Sequence, residues 1–435
     1  PPGRRRGRLV SPRAPAESRS DPRHSATPAL PAPRRLSATE LVALVAGLMS
    51  LNALAIDIML PALPAMAEDL GVAGANQRQW VVIGFAVGMG FGQLVFGPLS
   101  DRFGRKPVLL LSLSLYALFG AGCNFSVDFQ MLVVLRVLQG MASAGARATA
   151  IAVVRDQFQG AAMARVMSLV MTVFMAVPIL APSLGAAVLL VADWRMIFWL
   201  LVAFAAFMAV WSQARMPETL PPSRRRRIDV RSLLSAYREV LAHRQSRAYT
   251  AAVGLVFGAL MAFLGASEQV FAHFGRSATF PLYFAGVAGG MAAGNLLNAR
   301  LVSRFGPRAV AHTALFAFIG VQLAYLAALG LGADDFGTFY AATLATFVCL
   351  AMMGANFNAV AMEPMGHLAG TASAALGFAS TTLAAWIGGL IGQAYVASPL
   401  PFAAGDLLLG LAALGFVLHG ERGRLLGRPV EAVAA

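Results

Sequence analysis

Beyond residue 38 the chain is a succession of apolar runs separated by short polar turns. Most runs reach the roughly 20 residues that a helix needs to cross a bilayer. They lie near 39–65, 78–98, 107–125, 129–153, 162–191, 194–215, 248–271, 279–300, 308–331, 336–360, 369–396 and 401–419, which makes twelve predicted spans. The second run closes abruptly in GFGQLVFGPLSDRFGRK (90–106), and the next begins at once at Pro107. This turn recurs: GQLVFGPLSDRFGRK (92–106) aligns without a gap on GNLLNARLVSRFGPR (294–308). Gly92 falls on Gly294, Leu94 on Leu296, Leu99 on Leu301, Arg102 on Arg304, Phe103 on Phe305, Gly104 on Gly306 and Lys106 on Arg308, 202 residues apart. An echo at about half the apolar body predicts an all-α integral membrane protein, with twelve transmembrane helices in two pseudo-symmetric six-helix bundles.

Composition strengthens this reading. Hydrophobic residues make up 58% and charged residues 12% of 435, and the mean hydropathy is +0.68, outside the range of soluble domains. The net charge is +14, but the basic residues cluster at the ends of apolar spans, so they report topology and a lipid-bilayer partner and imply no nucleic acid. Arg102, Arg105, Lys106, Arg155, Arg165, Arg215, Arg224–Arg227, Arg231, Arg300, Arg304, Arg308, Arg422, Arg424 and Arg428 fall on one side. The opposite loops carry Glu68, Asp69, Asp128, Asp193, Asp334, Asp335 and Asp406, with Arg78, Arg195 and Arg276 as exceptions. Both termini are therefore expected in the cytoplasm. The domain plan is a disordered basic tail (1–37), a first bundle (38–216), a cytoplasmic linker with an RRRR run (217–247), a second bundle (248–420) and a cytoplasmic tail (421–435). The tail lacks the apolar core of a signal peptide, so the first span is expected to act as an uncleaved insertion signal, and a start at Pro1 suggests a trimmed or wrongly assigned beginning. Cys123 and Cys349 lie in or beside apolar spans, with no disulfide framework or metal cluster indicated. No GxxxxGK[ST] and no HExxH occurs, so neither direct use of ATP nor metalloenzyme chemistry is expected, and no cofactor beyond an ion gradient.

Ionisable groups at membrane depth are the candidates for chemistry, because an unpaired charge there costs several kcal/mol. Asp57 lies inside the first span among Ala55, Ile56, Ile58, Met59 and Leu60; it reads either as a proton carrier or as a fixed ion pair or helix-end cap ahead of LPALP. Arg136 on the fourth span sits at a similar depth and stays charged. It is expected either to pair with Asp57, with Gln139 orienting it, or to bond the broken backbone of the first span. Glu268 near the outer end of the seventh span is either a cavity acid or a surface one. Asn52, Gln93, Asn295, Asn356 and Asn358 either line a cavity or tie helices together. On the fifth span Pro178, Pro182 and Gly185 mark a bend, and Gly286, Gly289, Gly290 and Gly294 on the eighth offer a smooth surface for contact between the halves.

Twelve spans in two halves, with GPLSDRFGRK after the second, resemble the major facilitator superfamily from about residue 38 onward. AIDIMLPALPAMAEDLG (55–71), LRVLQGMASAG (135–145), the VRD at 154–156, VPILAPSLGA (177–186) and HLAGTASAALG (367–377) resemble its Bcr/CflA branch of drug:proton antiporters. The fifth-span motif departs from the strict antiporter form, with Ala181-Pro182 and Gly185-Ala186 where that form has Gly-Pro and a Gly-Gly pair. The resemblance implies a monomeric transporter of the bacterial inner membrane that exports small hydrophobic or amphiphilic drugs such as chloramphenicol or bicyclomycin, driven by protons moving inward. A metabolite exporter or proton symporter on the same scaffold is the alternative, and a non-transporting receptor or enzyme is the rival class. The resemblance further implies a conformational latch in which Asp101 approaches the eleventh span and Arg105 pairs with Asp156. Ser303 stands where the second copy would need the acid, so that latch is expected to be asymmetric.

Overall fold

The structure is a computed structural model and describes residues 37–225, 230–396 and 398–426, leaving aside the side chains at 161, 164, 230, 232, 233, 236 and 367–369. Twelve helical segments long and apolar enough to span a membrane are present among these residues. The first half comprises α1 (Ala38–Asp57) with its continuation α2 (Leu63–Asp69), α3 (Trp80–Phe103), α4 (Arg105–Asn124), α5 (Phe129–Gln157), α6 (Gly160–Leu189) and α7 (Arg195–Arg215). A linker helix α8 (Val230–Ala242) precedes the second half. That half contains α9 (Arg244–His273), α10 (Phe280–Phe305), α11 (Pro307–Gly330), α12 (Phe336–Met362), α13 (Ala369–Gln393) and α14 (Leu400–Gly420).

Local chemistry explains where these helices stop. Pro61 has no N–H to offer the carbonyl of Asp57 four residues back, and its ring crowds that carbonyl, so α1 ends at Asp57 and resumes as α2. Gly104 and Gly306 take φ of 104° and 82°, values suited to glycine, and turn the chain sharply between successive spans. Asp128 and Asp335, 207 residues apart, cap α5 and α12 by accepting hydrogen bonds from backbone N–H groups of the first turn.

The halves repeat one packing scheme. Gly84, Gly88 and Gly92 lie at four-residue spacing on α3 against Val133, Val137 and Met141 of α5; a Cβ on Gly84 would touch Val133 at 3.4 Å, whereas one on Gly88 would lie 1.9 Å from the Val137 carbonyl and one on Gly92 2.2 Å from the Met141 carbonyl. On α10, Gly286, Gly290 and Gly294 face Tyr340, Leu344 and Val348 of α12 at the matching positions. The glycines are each offset by 202 residues and their partners each by 207. Small residues at this spacing let helix backbones approach closely. The glycine face of the eighth span thus packs within its own half, on α12, rather than against the first half as expected. Gly185 of α6 also packs within its half, because a Cβ there would lie 2.0 Å from the Ile58 carbonyl.

Several helices run further than their apolar runs, because charged residues continue the helix past the bilayer. α3 reaches Phe103, α5 Gln157 and α10 Phe305, and α9 starts at Arg244 inside the expected linker. Asp406, read from sequence as a loop acid, lies inside α14. The three exceptional arginines at the acidic end all have local partners. Arg195 pairs with Asp69 at 2.6 Å, Arg78 with Glu268 at 2.8 Å, and Arg276 stacks over the Phe336 ring at 5.2 Å.

Candidate functional site

Arg136 is wholly buried in the first half (0% exposed). Its Nε donates to the Val81 carbonyl (3.1 Å), Nη1 to Gln139 Oε1 (2.8 Å) and Nη2 to the Ala55 carbonyl (2.9 Å), while its Cζ lies 4.4 Å from the centroid of the Phe85 ring. The break in α1 accounts for the third bond. Met59 N–H bonds Ile56 rather than Ala55, so the Ala55 carbonyl loses its helical donor and takes one from Arg136. Of the two roles expected for Arg136, the structure forms the bond to broken backbone and leaves out the direct pair with Asp57. Asp57 is 4% exposed and makes no hydrogen bond or ion pair among the described residues. Asn52, on the same helix, is likewise buried with both amide atoms unpartnered. The first span therefore presents a buried carboxyl and a buried amide, both without a hydrogen-bond partner, while Arg136 holds the backbone two residues before the carboxyl.

Most of the other amides are ties between helices. Gln93 Nε2 donates to Thr381 Oγ1 of α13 at 3.1 Å, joining the two halves. Asn356 Nδ2 donates to Asn298 Oδ1 at 2.7 Å, joining α12 to α10. Asn358 bonds its own helix at the Gly354 carbonyl (3.0 Å). Asn295 of α10 reaches Met175 of α6 at 3.8 Å. Pro178 and Pro182 both lie within the single helix α6. Glu268 sits in the ion pair with Arg78 of the first half rather than on an open cavity wall.

Around that pair a set of amides closes the acidic end. Gln79 Nε2 donates to Gln269 Oε1 (3.2 Å) and the Gly392 carbonyl (3.0 Å), and Gln393 Nε2 donates to the Asn76 carbonyl (2.7 Å) and Gln79 Oε1 (3.3 Å). Asn76 Nδ2 reaches the carbonyls of Gln393 and Tyr395, each at 2.9 Å, and Gln269 Nε2 the Ala75 carbonyl at 2.5 Å. None of these amides was singled out in the sequence. The polar cluster ANQRQ (75–79) at the mouth of the second span was the available signal.

At the basic end Asp101, Arg105 and Asp156 come together. Arg105 Nη1 lies 2.6 Å from Asp101 Oδ1, and Nε lies 2.9 Å from Asp156 Oδ2. Sequence reasoning missed three partners: Ser100 Oγ accepts from Arg105 Nη1 (2.5 Å), Thr219 Oγ1 donates to Asp156 (3.1 Å), and Glu218 accepts the N–H groups of Arg105 (2.9 Å) and Lys106 (3.2 Å), capping α4. The second half has a counterpart without the acid of the second span, since the Ser303 hydroxyl only bonds the Arg300 carbonyl. Arg308 pairs with Glu363 (2.6 Å) and Glu421 (2.8 Å), and Tyr249 donates to Glu421 at 2.7 Å. The two clusters occupy matching places: Asp156 and Glu363 lie 207 residues apart near the ends of α5 and α12, and Glu218 and Glu421 follow α7 and α14. The expected asymmetry holds only for the acid on the second span of each half.

The sequence profile described as Major Facilitator Superfamily matches residues 45–417. The chain belongs to the major facilitator superfamily. It is 30% identical over 366 residues to an uncharacterized MFS-type transporter, YdgK, of Bacillus subtilis, covering 82% of this chain and 89% of that protein. It is 29% identical over 379 residues to the bicyclomycin resistance protein homolog of Haemophilus influenzae, covering 84% and 93%. In fold it is similar to a D-xylose–proton symporter, with a TM-score of 0.68 at 13% identity over 89% of this chain and all of the other. As a major facilitator it is a multi-pass membrane transporter and not an enzyme. Its twelve spans form two six-helix halves, tied together at the acidic end and across Gln93 and Thr381.

Proposed function

We propose that this transporter exports small hydrophobic or amphiphilic compounds in exchange for protons. The bodies 38–216 and 248–420 rock about the linker 217–247, and the compound binds near the midplane between them. The basic ends face the cytoplasm, so both termini lie inside, in the inner membrane of a bacterium, and the working unit is one chain. The proton gradient is the energy source and supplies about 2.3 kcal/mol per charge per 100 mV of potential. The observation that carries this reading is the buried, unpartnered carboxyl of Asp57 at the break of α1. A charge there is costly without a partner, so the group exchanges a proton as access alternates. Arg136 is fully engaged with backbone and Gln139, which leaves the Asp57 carboxyl free to take and release a proton. The relative named for bicyclomycin resistance supports a drug as cargo.

The test is flux in proteoliposomes with a panel of drugs and metabolites, under an imposed pH gradient of either sign. Export against proton entry is expected for the wild type, and Asp57→Asn is expected to abolish the response to the gradient while leaving downhill exchange of drug. Unchanged gradient-driven export by Asp57→Asn would sink Asp57 as the carrier. Movement of drug and proton in the same direction would replace antiport with symport.

A further inference from the structure

We propose that the second half holds a proton-binding site of its own at Asp406, in a cavity between α9, α11, α12 and α14. Asp406 lies about a turn and a half inside α14. The polar residues lining its cavity are Ser267, Gln322, Tyr325, Thr343, Thr346 and Asp406 itself. Three fully buried oxygens among them have no hydrogen-bond partner: Asp406 Oδ1, Ser267 Oγ and Tyr325 Oη. Ser267 and Tyr325 are 0% and 6% exposed, so bulk water does not satisfy them. The cavity leaves about 30 Å³ for the centres of water molecules, room for one or two waters.

The internal repeat explains why a cavity exists here. The 207-residue offset between α5 and α12 sets Thr343 opposite Arg136 and Thr346 opposite Gln139. In the first half those two long side chains fill the chamber and bring a fixed cation into it. In the second half two threonines leave the space open. α7 and α14 begin 205 residues apart, which places Asp406 opposite Leu201, a fully buried core residue. The second chamber has therefore lost its built-in cation and gained an acid.

An ionised carboxylate in such a chamber needs a cation, and the lining contains no Lys, Arg or His. The groups facing Asp406 are Ser267 from α9, Gln322 and Tyr325 from α11, and Thr343 and Thr346 from α12; α13 adds none to the lining. The nearby Glu268 of α9 is occupied by Arg78. Gln322 Nε2 donates to Thr346 Oγ1 (2.7 Å) and Thr343 Oγ1 to the Phe339 carbonyl (2.8 Å), and the lining holds a single carboxylate, whereas a hard metal cation takes six or more oxygens, several of them from carboxylates. A proton fits this set. It arrives as hydronium, joins an Asp406 oxygen and leaves a water that bridges to Ser267 and Tyr325. Asp334 and Asp335, in the loop ahead of α12, lie near enough to act electrostatically on Tyr325. Hydrogen bonds from Thr338 hold the Asp335 carboxyl below the usual carboxylate range, so it keeps its negative charge where cations approach.

The site binds its proton whether or not Asp57 drives export. The test is infrared difference spectroscopy of the purified full-length protein between two pH values, with proton uptake followed in unbuffered solution. Asp406→Asn is expected to remove one protonated-carboxyl band and a single proton of uptake, while Asp57→Asn keeps that band. Asp406→Glu, a variant that retains a carboxyl should the amide disrupt folding, is expected to shift the band without losing it. An unchanged band and proton count in Asp406→Asn, or an unshifted band in Asp406→Glu, overturns the site. Loss of the wild-type band on adding Na+ at fixed pH overturns the proton as its occupant.

Discussion

Arg136 brings its charge into a position with 0% exposure and finds two main-chain carbonyls and an amide there rather than a carboxylate. A planar fork can serve three acceptors in different directions, whereas an ammonium is a single point. Arg136→Lys should therefore keep the charge yet strand at least one buried acceptor, at roughly 1–3 kcal/mol for each. Thermal unfolding in detergent is expected to show a lowered midpoint, and a midpoint equal to wild type would mean the three bonds contribute no stability. Asp57 and Arg136 stood out in the sequence because they interrupt apolar runs, but their separation did not. It depends on Arg136 reaching across from α5 to the Ala55 carbonyl that the break of α1 leaves free, a contact between helices that spacing along the chain does not show. Asp406 was misread for the opposite reason: it lies near the start of its apolar run, where a helical acid and a loop acid look the same until the helix is seen to begin at Leu400.

At the scale of helices, the glycine stripes do the same job in both halves with different tolerance. A methyl group on Gly88 would meet the Val137 carbonyl at 1.9 Å, and both atoms belong to rigid helices. On Gly286 the obstacle is the Tyr340 hydroxyl, the far end of a side chain, and at Gly289 nothing lies within 4 Å. Overpacking of a close helix crossing costs about 1–3 kcal/mol. The expected order of destabilisation is Gly88→Ala, then Gly286→Ala, with Gly289→Ala near wild type, as measured by thermal unfolding and by the yield of monodisperse protein. Equal effects at Gly88 and Gly289 would remove the close crossing of α3 and α5 as a determinant of the fold. The twelve spans were legible from run length alone, and the 202-residue echo exposed the two halves. Which helix each glycine face meets was not legible, because four-residue spacing marks a contact surface without naming its partner.

For the whole molecule, the internal repeat supplies two similar basic-end charge clusters, each anchored within its own half. They brace the halves as bodies, and alternation between access states must break contacts elsewhere. At the acidic end those contacts are amide hydrogen bonds, short-range and uncharged apart from Arg78 and Glu268. Such bonds are worth about 0.5–1.5 kcal/mol each, enough together to hold one state and weak enough to yield to a ligand. Gln79 is their hub, with bonds to Gln269, Gly392 and Gln393 of the second half. Removing its side chain should cost the closed state roughly 2–4 kcal/mol, more than a tenfold shift toward opening at this end. The expected outcome for Gln79→Ala is faster labelling of a cysteine introduced at the acidic-end mouth, with labelling at the basic end slowed. Because α3 and α13 are also joined at mid-depth through Gln93 and Thr381, Gln93→Ala alone is expected to loosen both ends together. Reciprocal labelling in Gln79→Ala but parallel labelling in Gln93→Ala would separate a gate from a hinge, and parallel labelling in both would place the gate outside the Asn76–Gln79 cluster.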